Sequence, residues 1–330
     1  MREQRPFFLT VSEVWPDAPG QTPGGYAVPM QNAGMAGKTV LVTGATNGIG
    51  LVTARELARR GADVVILGRN ADRTARVAQD VGAHAFMVAD LSEMKSTVRA
   101  AAEFCDRYDR LDVLVNNAGA IFETRQTSSE GVEMTWALNH LAPFLLTRQL
   151  MSLLLVTPGS RVVTVASAAH QPARLDLNDP EFRARKYSAW GAYGQSKLAN
   201  VLFARELARR GAGVQSYSLH PGMVASGFGH NGQGNLNRLY KYVDRFAITP
   251  DAGARTSVYL SSTSDQLVNG GYYVKRRPST PSARALDDGA AYRLWEISEG
   301  YVQGAVKSRT LPTWEEILRE VRNLTRSAAG

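Results

Sequence analysis

Cysteine is nearly absent: Cys105 is the single one in 330 residues, so no disulfide can close within the chain, which suits a reducing, cytoplasmic setting. Lysine is scarce too, seven among the 38 basic residues. The formal net charge of +8 would fit a polyanion, but the arginines are scattered along helical stretches as Arg-Arg pairs. Without a basic cluster or a recognisable motif, no nucleic-acid partner is expected. No uncharged apolar run reaches the roughly 18 residues that a bilayer span requires, and Phe7-Phe8-Leu9 is too short for the apolar core of a signal peptide. Nothing marks a metal site, so no metal is expected.

Hydrophobic residues make up 44% of the chain, enough for a large core, and one α/β domain is expected over residues 38–302. Residues 1–37 hold many prolines and glycines without a steady period and are expected to form an extended arm, either packed on the body or a neighbouring subunit, or disordered. Strand-like runs at Val40–Thr43, Val64–Leu67, Ala85–Val88, Val113–Val115, Arg161–Ala166, Val214–Leu219 and Gly271–Val274 alternate with helical runs. The alternation predicts a single Rossmann-type, doubly wound domain: seven mainly parallel strands with helices on both faces. Two helices are predicted to be long, Ser128–Leu155 and Gly191–Arg210. Residues 225–249, rich in Gly and Asn, are expected to form a lid, and residues 303–330 a C-terminal extension. Trp314, Ile317, Leu318, Val321 and Leu324 give that extension a short amphipathic helix that would dock on the body or a partner.

Thr39–Leu57 organises the rest. A β-branched run ends at Gly44, passes Thr46 and Asn47, and enters a helix through Gly48, Ile49 and Gly50. Backbone N–H groups and the positive helix end then face the turn, which is a place for a phosphate. The second strand-like run follows as a βαβ crossover requires. Further on, Tyr193 and Lys197 stand four apart on a predicted helix and so share a face. A phenol with a pKa of about 10 needs a shift of about 3 units, or about 4 kcal/mol, to titrate near neutrality, and a neighbouring ammonium pushes it that way. Ser167 follows the fifth strand-like run, where side chains enter the ligand crevice. It is either a ligand for a substrate carbonyl or a cap for the next turn.

This glycine turn, with Ser167, Tyr193 and Lys197 in order behind it, resembles the short-chain dehydrogenase/reductase superfamily. The resemblance implies that Asn139 holds a water linking the lysine to solvent, and that Asn117, Ala118 and Gly119 line the cofactor site. It also implies that Asp90 and Leu91 border the adenine, and that Pro221, Gly222 and Val224 lie beside the nicotinamide. Closer likeness is to the retinol dehydrogenase-like group and to bacterial ketoreductases of polyketide and anthracycline type. It is carried by Arg69-Asn70, the 165–170 run Val-Ala-Ser-Ala-Ala-His, the 197–203 run Lys-Leu-Ala-Asn-Val-Leu-Phe, and the residues around Ala291 to Trp295. Ala166 departs from a second serine common there, the membrane anchor of the animal enzymes is missing, and both terminal arms are extra.

Cofactor choice turns on the end of the second strand, where an acidic residue selects NAD and an arginine accommodates the 2′-phosphate of NADP. Gly68-Arg69-Asn70 stands there, so NADP(H) is expected with Arg69 as phosphate partner; the alternative is a surface arginine. The implied activity is NADPH-dependent reduction of a bulky hydrophobic ketone or aldehyde. His170, Trp190 and Phe228 are expected to touch the substrate, or else to anchor loops. Cyclisation or dehydration on the same fold, and a non-catalytic cofactor-binding scaffold, are the alternatives. The subunit count is left open, from monomer to a dimeric or tetrameric homo-oligomer.

Overall fold

Short β-branched runs and amphipathic helices wind into one twisted sheet. The computed structural model describes residues 8–10, 34–222, 248–305, 314–317 and 319. Its strands are β1 (Phe8–Thr10), β2 (Thr39–Thr43), β3 (Asp63–Gly68), β4 (Ala85–Val88), β5 (Val113–Asn116), β6 (Arg161–Val165), β7 (Gln215–His220), β8 (Tyr272–Val274) and β9 (Arg277–Pro278). The helices are α1 (Gly48–Arg59), α2 (Ala71–Val81), α3 (Met94–Arg107), α4 (Met134–Trp136), α5 (Ala142–Gln149), α6 (Met151–Val156), α7 (Ala189–Arg210), α8 (Pro250–Ser262) and α9 (Asp288–Ala305). A π turn, Ala137–Leu141, joins α4 to α5, and a 3-10 turn, Ala168–His170, follows β6.

Among the described residues the sheet has nine strands in the order β1-β4-β3-β2-β5-β6-β7-β8-β9. The seven parallel strands are those expected from the sequence. The other two, β1 and β9, pair antiparallel with β4 and β8 at the two edges. They are three and two residues long, too short to show a hydrophobic period, so the count of seven is corrected to nine.

Alternation along the strands builds two cores. Leu41, Val65, Leu67, Leu114 and Val162 face α3, α5, α7 and α9, whereas Val40, Val42, Ile66, Val115 and Val163 face α1, α2 and α8. Trp295 of α9 lies edge-on to Phe144, with ring centres 5.0 Å apart, and stacks on Phe203. Trp314 covers Trp295 edge-on at 5.0 Å, and both Trp314 and Ile317 are buried. Leu318, Val321 and Leu324 offer no described side chains.

The predicted long helix over Ser128–Leu155 is corrected. Residues Thr127 and Glu133 form a β-bridge, and the helix begins only at Met134, where the Glu133 carboxylate accepts from the Thr135 and Trp136 amides at 2.8 Å. It then widens into the π turn and breaks at Leu150. Pro143 explains the widening: it has no N–H, so the carbonyl four residues back, that of Asn139, receives no α-helical donor from it.

Candidate active site

Strand order reverses between β2 and β5, with β3 beside β2 on one side and β6 beside β5 on the other. The chain leaves β2 and β5 in opposite directions there and opens a crevice at the carboxyl ends of the strands. Thr43, the last residue of β2, ties the two departing loops. Its Oγ1 accepts from the Asn117 and Ala118 amides at 3.0 Å and donates to the Val115 carbonyl at 3.2 Å. Asn117 Nδ2 donates to the carbonyls of Thr43 at 2.8 Å and Gly44 at 3.2 Å. The turn has no room for side chains: Gly44 has φ +63°, a Cβ on it would lie 2.8 Å from Ala118 Cα, and a Cβ on Gly50 would run into Asn117 Nδ2 and Gly44 O. The Thr46 side chain lies against Gly68.

The helix that starts here is open to an anion. Exposed Asn47 occupies the N-cap position in an extended conformation, yet its side chain makes no cap bond, and Gly48, Ile49 and Gly50 form the first turn. The N–H groups of that turn receive no acceptor from Asn47, and a dinucleotide pyrophosphate fits such a close, positive turn.

At the end of β3, Arg69 is 72% exposed and its guanidinium reaches Asp90 only at 3.9 Å. Asn70 caps α2 by accepting from the Arg73 amide at 2.9 Å, so its oxygen is committed to the fold. Asp90 accepts from the Ser92 amide and hydroxyl at 3.0 and 2.6 Å, while the Leu91 side chain is in the core.

The second half of the site is built from β6 and α7. Tyr193 and Lys197 stand one turn apart on α7, with Lys197 Nζ 5.5 Å from the centre of the Tyr193 ring. Tyr193 is half-buried and Lys197 buried. Lys197 Nζ donates to the Val165 carbonyl at 2.9 Å, which pins α7 to the end of β6 two residues before Ser167. Burial pushes the lysine down to about 8. Ser167 is half-buried and extended, and its Oγ accepts from the Ala169 amide at 3.2 Å, so it caps the 3-10 turn while its hydroxyl hydrogen stays available. The Ala168 amide donates to His220 Nδ1 at 3.1 Å, joining this turn to the end of β7, where Pro221 and Gly222 are half-buried.

Asn139 sits in the π turn, fully buried. Its amide pairs both ways with Ala120, each bond 2.8 Å, and also donates to Ser196 Oγ at 3.1 Å. Gly119 lies beside it: a Cβ there would be 3.1 Å from Asn139 Oδ1 and 3.5 Å from Lys197 Nζ. The β5 loop, the π turn and α7 thus converge on Lys197. A phenol beside a buried ammonium, with a serine hydroxyl at the neighbouring strand end, can pass a proton to an oxygen bound between them.

Trp190 is 47% exposed and stands edge-on to Tyr193 at 6.1 Å. His170 is corrected. It has no accessible surface for a substrate, its Nδ1 lies 2.7 Å from the Ser167 carbonyl, and its Nε2 accepts from the Ser282 amide at 3.1 Å. Val224, Phe228 and nearly all of the expected lid lie outside the described residues. Thr43 was not singled out as a site residue; its place as the last strand residue before Gly44 was the available signal. Among the described residues, two open grooves of about 490 and 510 Å³ are lined by no residue of this constellation.

The short chain dehydrogenase family model matches residues 38–235. DnrU of Streptomyces sp. (strain C5), a candidate daunorubicin C-13 ketoreductase, is 39% identical over 277 residues, 82% of this chain and 94% of its own. Human retinol dehydrogenase 13 is 35% identical over 297 residues, 85% of this chain and 90% of its own. Among solved structures, an uncharacterised protein of Mycobacterium paratuberculosis superposes with a TM-score of 0.66 at 37% identity, covering 81% of this chain and 94% of that one. RhlG of Pseudomonas aeruginosa, solved as an NADP complex, superposes with a TM-score of 0.57 at 27% identity, covering 72% and 94%. The chain belongs to the short-chain dehydrogenase family.

Proposed function

We propose that the chain is an NADPH-dependent carbonyl reductase acting on a bulky hydrophobic ketone or aldehyde. The observation that carries this is the Tyr193–Lys197 pair: the phenol is half-buried beside a buried ammonium that is anchored on the Val165 carbonyl. NADP(H), when bound, supplies or accepts the hydride. The first turn of α1 and the Gly44 loop would hold its pyrophosphate, and exposed Arg69, with only a long contact to Asp90, would receive the 2′-phosphate.

The chain's own residues manage the oxygen and the proton. Tyr193 donates a proton to the carbonyl oxygen, and Ser167 donates its free hydroxyl hydrogen to the same atom. Lys197 favours the phenolate that remains. Asn139 keeps the relay to solvent; its side chain is committed to Ala120, so we assign the relay water to its main-chain carbonyl, to which Pro143 can give no helical bond. Exposed Trp190 beside Tyr193 supports an apolar substrate, and the name of the 39% identical DnrU supports a ketone of polyketide type, from bacterial secondary metabolism.

Tyr193→Phe tests the assignment, since it removes the phenolic proton and keeps the ring. kcat for ketone reduction should fall by about 10²- to 10⁴-fold while NADPH affinity changes little. Retention of more than about a tenth of wild-type kcat would show that another group supplies the proton.

A further inference from the structure

His140 is the neighbour of Asn139 in the π turn, and the two side chains leave that turn toward different elements. Asn139 turns to Ala120 and Ser196, whereas His140 turns to α9, where its Nε2 lies 2.8 Å from Ser298 Oγ. The imidazole is 1% exposed and lies between the rings of Trp136, at 4.4 Å, and Phe144, at 6.4 Å. Asn200, on α7, is near enough to favour the protonated ring, yet no hydrogen bond joins the two side chains. His140 Nδ1 and Asn200 Oδ1 are both buried without a partner. Asn200 Nδ2 points at the Val165 carbonyl, 3.5 Å away, the same oxygen that receives Lys197 Nζ.

One protonation pattern matches a donor to an acceptor at every step of this row. If Ser298 gave its hydrogen to the Leu294 carbonyl, 2.7 Å away, then Nε2 would have to be the protonated nitrogen. Nδ1 and Asn200 Oδ1 would then both be bare acceptors in the core, which is costly. With the proton on Nδ1, the imidazole has an N–H to offer Asn200 Oδ1 and accepts the Ser298 hydroxyl at Nε2, while Asn200 Nδ2 turns to the Val165 carbonyl. The Leu294 carbonyl loses only a second donor, because its helical bond remains. Burial pushes the imidazole down to about 3, so it stays neutral over any assay range.

We propose that Ser298, His140 and Asn200 form a buried strut that positions Lys197 through the Val165 carbonyl, making α9 part of the machinery that holds the catalytic pair. None of the three touches substrate or cofactor; they are positioning residues. Their exposures are 0%, 1% and 2%, and they come from α9, the π turn and α7, so the row crosses three elements without solvent. Beside Ser298, Glu299 receives both Nε contacts of buried Arg148 at 2.8 Å, and Tyr301 donates to Glu181 at 2.8 Å. α9 is thereby fixed in the turn that follows Ser298. The strut's role in catalysis rests on the proposed carbonyl reduction.

The test uses the full chain loaded with NADP(H) and compares wild type, Ser298→Ala, His140→Phe, His140→Asn and Tyr193→Phe. Ser298→Ala deletes one buried oxygen and threatens folding least. Loss of the strut should lower kcat about 3- to 10-fold, the scale of coupling through one hydrogen-bond network, with KM and NADP(H) affinity nearly unchanged. A less well placed ammonium favours the Tyr193 phenolate less, so the alkaline limb of the reduction profile should move up by about half a pH unit or more. His140→Asn keeps an N–H donor for Asn200 and should recover most of the limb lost in His140→Phe. Acetylation of Lys197, followed by peptide mass spectrometry, reads the lysine without turnover and should quicken several-fold in Ser298→Ala. An unchanged profile together with unchanged Lys197 labelling, with only Tm lowered, would overturn the strut. Turnover surviving in Tyr193→Phe would overturn the proposed function instead, and Lys197 labelling would still decide whether the strut holds the lysine.

Discussion

A charged amine buried at 3% exposure is costly, and Lys197 carries that cost in the body of the fold. Burial holds its pKa down at about 8, against the 10.5 of a solvated lysine. With the folded value below the unfolded one, the unfolded chain binds more protons between those two pH values. Stability linked to this group therefore rises with pH across the window and is lowest below it. The shift corresponds to about 3 kcal/mol in total. Lys197→Met removes the titration along with turnover, so the stability of wild type relative to this variant, from urea midpoints in the absence of cofactor, should climb from pH 8 to pH 10.5 and then level off. A difference that stays flat would mean that the ammonium is solvated. The Tyr193–Lys197 pair was legible in the sequence because helical spacing alone makes neighbours of residues four apart. His170 was misread because its partner, Ser282, is 112 positions away and no local pattern announces such a contact.

At the scale of elements, the parallel strands were legible to within one residue at every end, since β2, β3, β5 and β6 are buried β-branched runs and β4, β7 and β8 are short apolar or aromatic runs set between helical stretches. The segment between β5 and β6 was not. An apolar period runs unbroken through Ser128–Leu155, but the Glu133 cap, the missing N–H of Pro143 and the break at Leu150 divide it. That division places Asn139 and His140 in a widened turn, from which they reach two different partners. Thr43 shows how much one strand-end side chain can hold. Thr43→Val keeps shape and leaves the Asn117 and Ala118 amides without their acceptor, which should cost about 2 to 4 kcal/mol. The urea midpoint should fall and NADPH should bind more weakly, while Thr43→Ser should restore both. If Thr43→Val is as stable as wild type, the two loops are held by something other than this hydroxyl.

For the whole molecule, both ends of the described chain return to the sheet and its helices. Phe8–Thr10 closes one edge against β4, and α9 with Trp314 closes the face of α5 and α7. Packing of the arm and docking of the C-terminal helix were among the expectations from the sequence, but where each lands was not, because three strand residues carry no period and an amphipathic helix does not name the surface it covers. No helix among the described residues is long and apolar enough to cross a membrane. The central claim is that this molecule moves a hydride from NADPH to a large apolar carbonyl. The most direct measurement is the initial rate of NADPH and NADH oxidation by the purified chain over a ketone series, from acetone to multi-ring aromatic ketones. Turnover with NADPH well above NADH, and kcat/KM rising with ring number, is the expected result. No oxidation of either cofactor with any carbonyl in the series would contradict the account.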